Sequence, residues 1–272
     1  MIPAPFDYER AESVDHAVEL LGSGRDAKLL AGGHSLLPFM RLRLARPDLL
    51  VDIGRLADLS YVREDGDRIA IGALTRHHDL ANDPLLAEEN PLVAHVAGQI
   101  GDPQVRHRGT IGGSVAHGDP AADFPGVLVA LEAELVARGP GGERTIGAGE
   151  CFTGFFETTI APDEVLTEIR VPKLGGAAWT YLKFQRRAQD WATVAVAAVG
   201  ANGSARVALT NMGPTPIRAR GVEEALGSGA DPATASERAA EGTAPPSDTQ
   251  ASAEFRGHLA RVLTKRALEQ VS

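Results

Sequence analysis

The chain is nearly empty of cysteine: its 272 residues contain one, Cys151. That excludes an internal disulfide, and an iron–sulfur cluster or thiolate zinc site built by this chain alone. Cys151 reads better as a buried small hydrophobe than as a redox thiol. Long apolar runs are missing too. No stretch of about 18 apolar residues offers a membrane span, and residues 1–10 lack the basic and apolar regions of a signal peptide. A cytoplasmic protein is expected. Positive charge is also scarce. The net charge is −9, which argues against a general nucleic-acid surface. The basic clusters are short: Arg41-Leu42-Arg43, Arg106-His107-Arg108 and Arg186-Arg187. They read as local anion contacts or docking points. Two nucleotide signatures are absent as well. No G-x-G-x-x-G follows a first strand, and Gly33 is followed by His34-Ser35 rather than the Lys-Ser/Thr of a Walker loop. There is no internal repeat. His77-His78, His95, His107 and His117 lack a metal-ligand spacing and read as solvated or capping residues.

Against these absences stand two Gly-Gly pairs. One lies in Leu29-Leu30-Ala31-Gly32-Gly33-His34-Ser35-Leu36-Leu37, the other in Arg108-Gly109-Thr110-Ile111-Gly112-Gly113-Ser114. Glycine permits positive φ and removes the Cβ that would block a ligand. Successive free amides make an anion-binding concavity. Two such segments suggest a ligand with two phosphates and a long body, gripped from two sides. On this reading a side chain at Gly33 or Gly112 would occupy phosphate space.

Periodicity places the pairs in context. Helices are expected over residues 12–22, 84–100, 120–132 (with Asp119 as N-cap), 218–226 and 253–271, with a short turn over 35–44. Strands are expected over 28–31, 49–53, 60–63, 68–72, 134–138, 144–146, 165–171, 178–184, 192–200 and 206–209, the last two joined by an Asn202-Gly203 turn. Residues 227–252 read as a mobile surface loop with some helix. Trp191 and Tyr181 fit a core role better than stacking on a ligand. The chain divides into residues 1–173, with both glycine pairs, and 174–272, an antiparallel sheet with helices. The class is α+β.

Several segments resemble one family. They are Ala31-Gly32-Gly33-His34-Ser35-Leu36-Leu37-Pro38, Asp102-Pro103-Gln104-Val105-Arg106, Arg108–Ser114, His117-Gly118-Asp119-Pro120-Ala121-Ala122-Asp123, Glu168-Ile169-Arg170-Val171-Pro172, Asp190-Trp191-Ala192 and Leu209–Pro216. In this order they resemble the FAD-binding medium subunit of the molybdenum-containing hydroxylases, the carbon monoxide dehydrogenase and xanthine dehydrogenase group. The resemblance implies a two-part FAD-binding domain of the vanillyl-alcohol-oxidase (PCMH) type, with sub-parts at about 1–56 and 57–173, then a smaller C-terminal domain over 174–272. It implies noncovalent FAD, with the molybdenum cofactor and [2Fe-2S] clusters on a large and a small partner subunit in a dimer of heterotrimers. It also implies site roles. Leu30, Ala31, Gly32, Gly33, His34, Ser35, Leu36 and Leu37 would wrap the pyrophosphate. Thr110, Ile111, Gly112, Gly113 and Ser114 would approach pyrophosphate and ribityl from the other side. Asp123 would accept from a sugar hydroxyl, Ile100 and Leu166 would line the adenine or flavin environment, and Lys183 would sit at the polar edge of the isoalloxazine. Ser114 departs from the Asp or Asn common at its position, which alters that contact. A free-standing FAD oxidoreductase and a nucleotide-binding module without redox chemistry are the alternatives.

Overall fold

A computed structural model describes residues 2–201 and 204–271. The expected Asn202-Gly203 turn lies outside them. The chain begins as a small parallel unit: β1 (Asp7–Arg10), α1 (Val14–Leu21), β2 (Ala27–Leu30), α2 (Leu36–Arg41) and β3 (Leu49–Asp52). β3 lies between β1 and β2 and parallel to both, with Leu30 opposite Asp52. The Ser13 side chain caps α1 by accepting from the His16 amide. Ala17 and Val18 of that helix close a core with Leu49, Val51 and Ile53. Parallel pairing of β2 and β3 requires a crossover, so the Gly32-Gly33 loop leaves the carboxyl end of β2.

The second part is built on β4 (Val62–Asp65), β5 (Arg68–Gly72), α3 (His77–Ala81), α4 (Pro84–Glu89), α5 (Pro91–Gln99), α6 (Pro103–Arg106), α7 (Ile111–His117), α8 (Asp123–Leu131), β6 (Glu134–Gly139), β7 (Gly142–Gly147), α9 (Ala148–Cys151), β8 (Phe152–Gly154), β9 (Glu157–Thr158) and β10 (Val165–Pro172). Five of these strands form an antiparallel sheet in the order β4-β5-β10-β6-β7. Its central strand, β10, carries the Glu168–Pro172 segment. The buried Glu168 carboxylate accepts from Tyr61 Oη (2.6 Å), Arg63 (2.8 Å) and Arg170 (2.6 Å). That segment therefore has a structural task, at the wall of a polar cavity of about 430 Å³.

Two helix expectations need correction. The helix over 84–100 is two helices. Pro91 has no amide to continue α4, so Asn90, at φ −146°, ends that helix and caps α5 through its side chain, which accepts from Val93 N. The helix over 120–132 starts at Asp123. The Asp119 side chain accepts from Ala121 N, two residues on, a local turn that competes with helix, and Ala122 is extended at ψ 148°.

The third part consists of β11 (Trp179–Phe184), β12 (Val194–Ala201), β13 (Ser204–Thr210), β14 (Ile217–Arg218), α10 (Arg220–Gly227), α11 (Pro232–Ser236) and α12 (Ala253–Val271), with the strands in chain order in one antiparallel sheet. Both faces of β12 are buried, as its unbroken apolar sequence requires. Val194, Val196 and Ala198 pack with Leu259, Leu263 and Leu268 of α12. Ala195, Ala197 and Val199 join the core that holds Phe124 and Leu128 of α8. The C-terminal sheet is thus packed onto the second part through α8. Gly126 lets α8 sit against β13, since a Cβ there would lie 2.4 Å from Thr210 Oγ1. The 227–252 stretch holds α11 and a 3-10 turn at Glu237–Ala240, with Ala235 and Ala239 buried. Tyr181 is core, 4 % exposed, but Trp191 is 60 % exposed. It lies on the connection between β11 and β12 rather than on the buried faces of the sheet.

Candidate functional site

The first glycine pair opens where β2 ends. Ile53 N donates to Leu30 O, closing the strand pair at 3.0 Å. The chain then turns through Gly33 at φ +75°, and Leu37 N donates to Gly33 O (3.0 Å) as α2 begins. Among the described residues, no acceptor meets the amides of Gly32, Gly33, His34 or Ser35. Four consecutive donors at a loop-to-helix junction form an anion cradle.

The second pair is built differently. It is the first turn of α7, not a loop, with Thr110 as N-cap. Its amides are all taken. Ile111 N donates to Thr75 O (3.1 Å), Gly112 N to Ala73 O (2.9 Å), Gly113 N to Thr110 Oγ1 (3.1 Å) and Ser114 N to Thr110 O (3.0 Å). A Cβ at Gly112 would lie 2.6 Å from both Ala73 Cβ and Ala73 O, so protein rather than ligand fills that space. At Gly33 a Cβ would meet the Leu37 side chain (2.9 Å), and the left-handed backbone is the stronger demand for glycine there. The sequence-based reason for glycine is corrected at Gly112, and at Gly33 the structure adds a backbone reason to it.

The two segments touch. A Cβ on Gly32 would lie 2.2 Å from Arg108 O and 2.9 Å from Gly109 Cα. His34 Nε2 is 3.3 Å from Gln104 O. The segment before α7 therefore buttresses the open loop. It also places the exposed Arg108 beside the loop.

His77 is the residue that sequence reasoning misplaced most. It is 4 % exposed rather than solvated, and its Nδ1 has no partner. Its ring abuts Gly109 and lies 5.5 Å from Phe124. Burial, with the nearby Arg106 and His34 charges, pushes its pKa down to about 4. The only signal in the sequence was its place just after a strand, four residues beyond Ala73.

Asp123 and Lys183 are brought together, but not on an open surface. The Asp123 carboxylate is 7 % exposed. It accepts from Tyr181 Oη on one oxygen and lies 3.0 Å from Lys183 Nζ. Tyr181 and Lys183 are two apart on β11, so they share a face of the sheet. Burial raises the Asp123 carboxyl, opposed by the Lys183 charge, and raises Tyr181 well above its usual value. The trio is a buried link between α8 and β11, and both carboxylate oxygens are already engaged by protein. Leu166 is 6 % exposed and belongs to the core; Ile100, at the end of α5, keeps some surface. Cys151 is fully buried, with its thiol pushed up to about 11, and is inert as expected. A second cavity, about 600 Å³, lies between β11 and α12 and is lined by Lys183 but by neither glycine segment.

A family model described as the FAD binding domain in molybdopterin dehydrogenase matches residues 4–174, and one described as the CO dehydrogenase flavoprotein C-terminal domain matches 179–271. The chain belongs to this flavoprotein family. It is 43% identical to the carbon monoxide dehydrogenase medium chain of Hydrogenophaga pseudoflava, over 98% of this chain and 97% of that one. It is 39% identical to the 6-hydroxypseudooxynicotine dehydrogenase complex subunit alpha of Paenarthrobacter nicotinovorans, over 98% and 95%. The fold superimposes on a solved structure of the H. pseudoflava carbon monoxide dehydrogenase lacking the Mo-pyranopterin moiety, with a TM-score of 0.96, 44% identity, and 100% and 98% of the two chains covered. The flavoprotein is therefore an FAD-binding subunit of the molybdenum-hydroxylase type, with the α+β, two-domain fold that its sequence segments implied. No described helix is long and apolar enough to cross a membrane.

Proposed function

We propose that the chain is the flavin subunit of a cytoplasmic molybdenum hydroxylase complex. It takes electrons from [2Fe-2S] clusters on a small partner subunit and passes them through noncovalent FAD to an external acceptor. A large subunit carries the molybdenum cofactor, and the assembly is a dimer of heterotrimers. The observation that carries this reading is the run of four unpaired amides at Gly32–Ser35 in a chain of the FAD-binding family. The single cysteine adds that the clusters must come from elsewhere.

Bound FAD supplies the redox chemistry; the protein supplies position and electrostatics. The loop from Leu30 to Leu37 holds the diphosphate through the free amides, and Arg108 adds charge beside it. Ser114 reaches the ribityl side through its hydroxyl, because the Ile111–Ser114 amides are occupied, and Thr110 supports it as the cap of α7. Gly112 and Gly113 act by packing. Ile100 offers apolar surface to the cofactor. Asp123, Leu166 and Lys183 act from behind it, fixing α8 against β11. Residues 1–173, subdivided near 56, form the FAD domain and 174–272 the C-terminal domain. Purification from the native host tests the reading. A yellow protein with about one flavin per chain, copurifying with a cysteine-rich small subunit and a molybdenum subunit, is expected. A colourless protein that takes up no FAD contradicts it, and a yellow protein purified alone favours a free-standing oxidoreductase.

A further inference from the structure

The Arg41-Leu42-Arg43 cluster has no task in the cradle, although α2 starts at the cradle's end. Its geometry is unusual for a helix terminus. Arg43 N donates to Met40 O (2.9 Å) and Leu44 N to Phe39 O (2.9 Å), the paired bonds of a Schellman cap. The residue at the turn of such a cap is left-handed and normally glycine; here it is Arg43, at φ 62°. The next residue usually packs back on the helix, yet Leu44 is 71 % exposed and Leu42 56 %. The neighbouring β8–β9 turn repeats the pattern. Phe156 is left-handed at φ 59°, an outlier for a bulky residue, and Phe155 before it is 63 % exposed. The two turns meet through Phe39, whose ring lies 5.8 Å from Phe156, with Phe155 a further 4.5 Å beyond. Exposed Leu42, Leu44 and Phe155 thus stand among exposed arginines. Arg41, Arg43 and Arg46 form no ion pair among the described residues, and Glu157, beside Phe156, is bonded to none of them. Unpaired positive charge around an apolar centre is an anomaly in a chain of net charge −9.

We propose that the α2 cap and the β8–β9 turn form the docking surface for the electron-donating iron–sulfur subunit, which meets it with an apolar centre ringed by carboxylates. The proposal rests on the functional reading above. The left-handed strain retained at Arg43, whose exposed side chain forms no ion pair among the described residues, is explained by a partner that it touches. The charge argues for an acidic partner, and the missing cysteines argue that the donor is a separate polypeptide. The helix joining this surface to the cradle places the donor beside the cofactor's loop.

The test compares the wild-type chain with Arg43→Gly and with the double variant Leu42→Asp/Leu44→Asp, each co-expressed with the iron–sulfur and molybdenum subunits. Arg43→Gly relieves the left-handed strain, so the isolated chain should keep its FAD content and show an unchanged or higher Tm. Its complex should dissociate about tenfold more readily and with a weaker salt dependence. The double variant should keep FAD and fail to assemble. Assembly of both variants with wild-type affinity and salt dependence overturns the docking surface alone. A lower Tm for Arg43→Gly also overturns it, because Arg43 then serves the fold. A wild-type chain that binds neither subunit overturns the functional reading, and the partner named here with it.

Discussion

The Gly32-Gly33 loop and the Gly112-Gly113 turn lie close together, and their backbones do opposite things. Around the first, four successive amides lack an acceptor; around the second, four successive amides each have one inside the protein. The first pair needs glycine at Gly33 for a left-handed turn and at Gly32 to admit the backbone of Arg108. The second needs it at Gly112 so that α7 can press on Ala73. One region presents donors, and the other is the wall that holds them in place. Substitutions in the first should therefore be felt in cofactor binding, and those in or behind the second in stability.

The largest effect is expected behind the second region. Lys183→Met leaves Asp123 buried without its counter-charge and should cost about 3–5 kcal/mol in urea unfolding. Its pH dependence sharpens the point. Burial raises the native Asp123 carboxyl, so the group's contribution to stability is present at low pH and is lost as pH rises through the native value. Removing the opposing Lys183 charge raises the native carboxyl further, so the loss should be larger than in the wild type and extend to higher pH. Next comes Gly112→Ala, whose Cβ meets Ala73; a loss of about 1–3 kcal/mol is expected, with FAD affinity per folded molecule unchanged. Weakened FAD binding without loss of stability would break the comparison. Gly33→Ala should cost about 1–2 kcal/mol through its left-handed backbone. Its FAD dissociation constant should rise about tenfold as the loop amides are re-aimed. The smallest effect is at the cap: Thr110→Val should cost about 1 kcal/mol, and Thr110→Ser should restore it.

The elements were legible where periodicity was strong. α12 begins and ends where its apolar spacing put it, and the strand pairs around β5 and β6 follow their turn residues. Proline and side-chain turns overrode the pattern at Asn90-Pro91 and Asp119–Ala122. The family and its cofactor were legible because many short segments keep their order. The difference between the two glycine pairs was not, since hydrogen-bond partners from Ala73 and Thr75 are remote in sequence from Gly112 and Ile111. For the same reason Asp123 and Lys183 read as two separate cofactor contacts. Only the packing of α8 on the C-terminal sheet reveals them as partners.

Amide hydrogen exchange on the apoprotein and after addition of FAD tests the central claim most directly. The Gly32–Ser35 amides should exchange fast without FAD and become protected with it, whereas those of Ile111–Ser114 should be protected in both states. Protection of Gly32–Ser35 in the apoprotein, or FAD-dependent protection confined to Ile111–Ser114, would contradict the assignment of the diphosphate to the first loop.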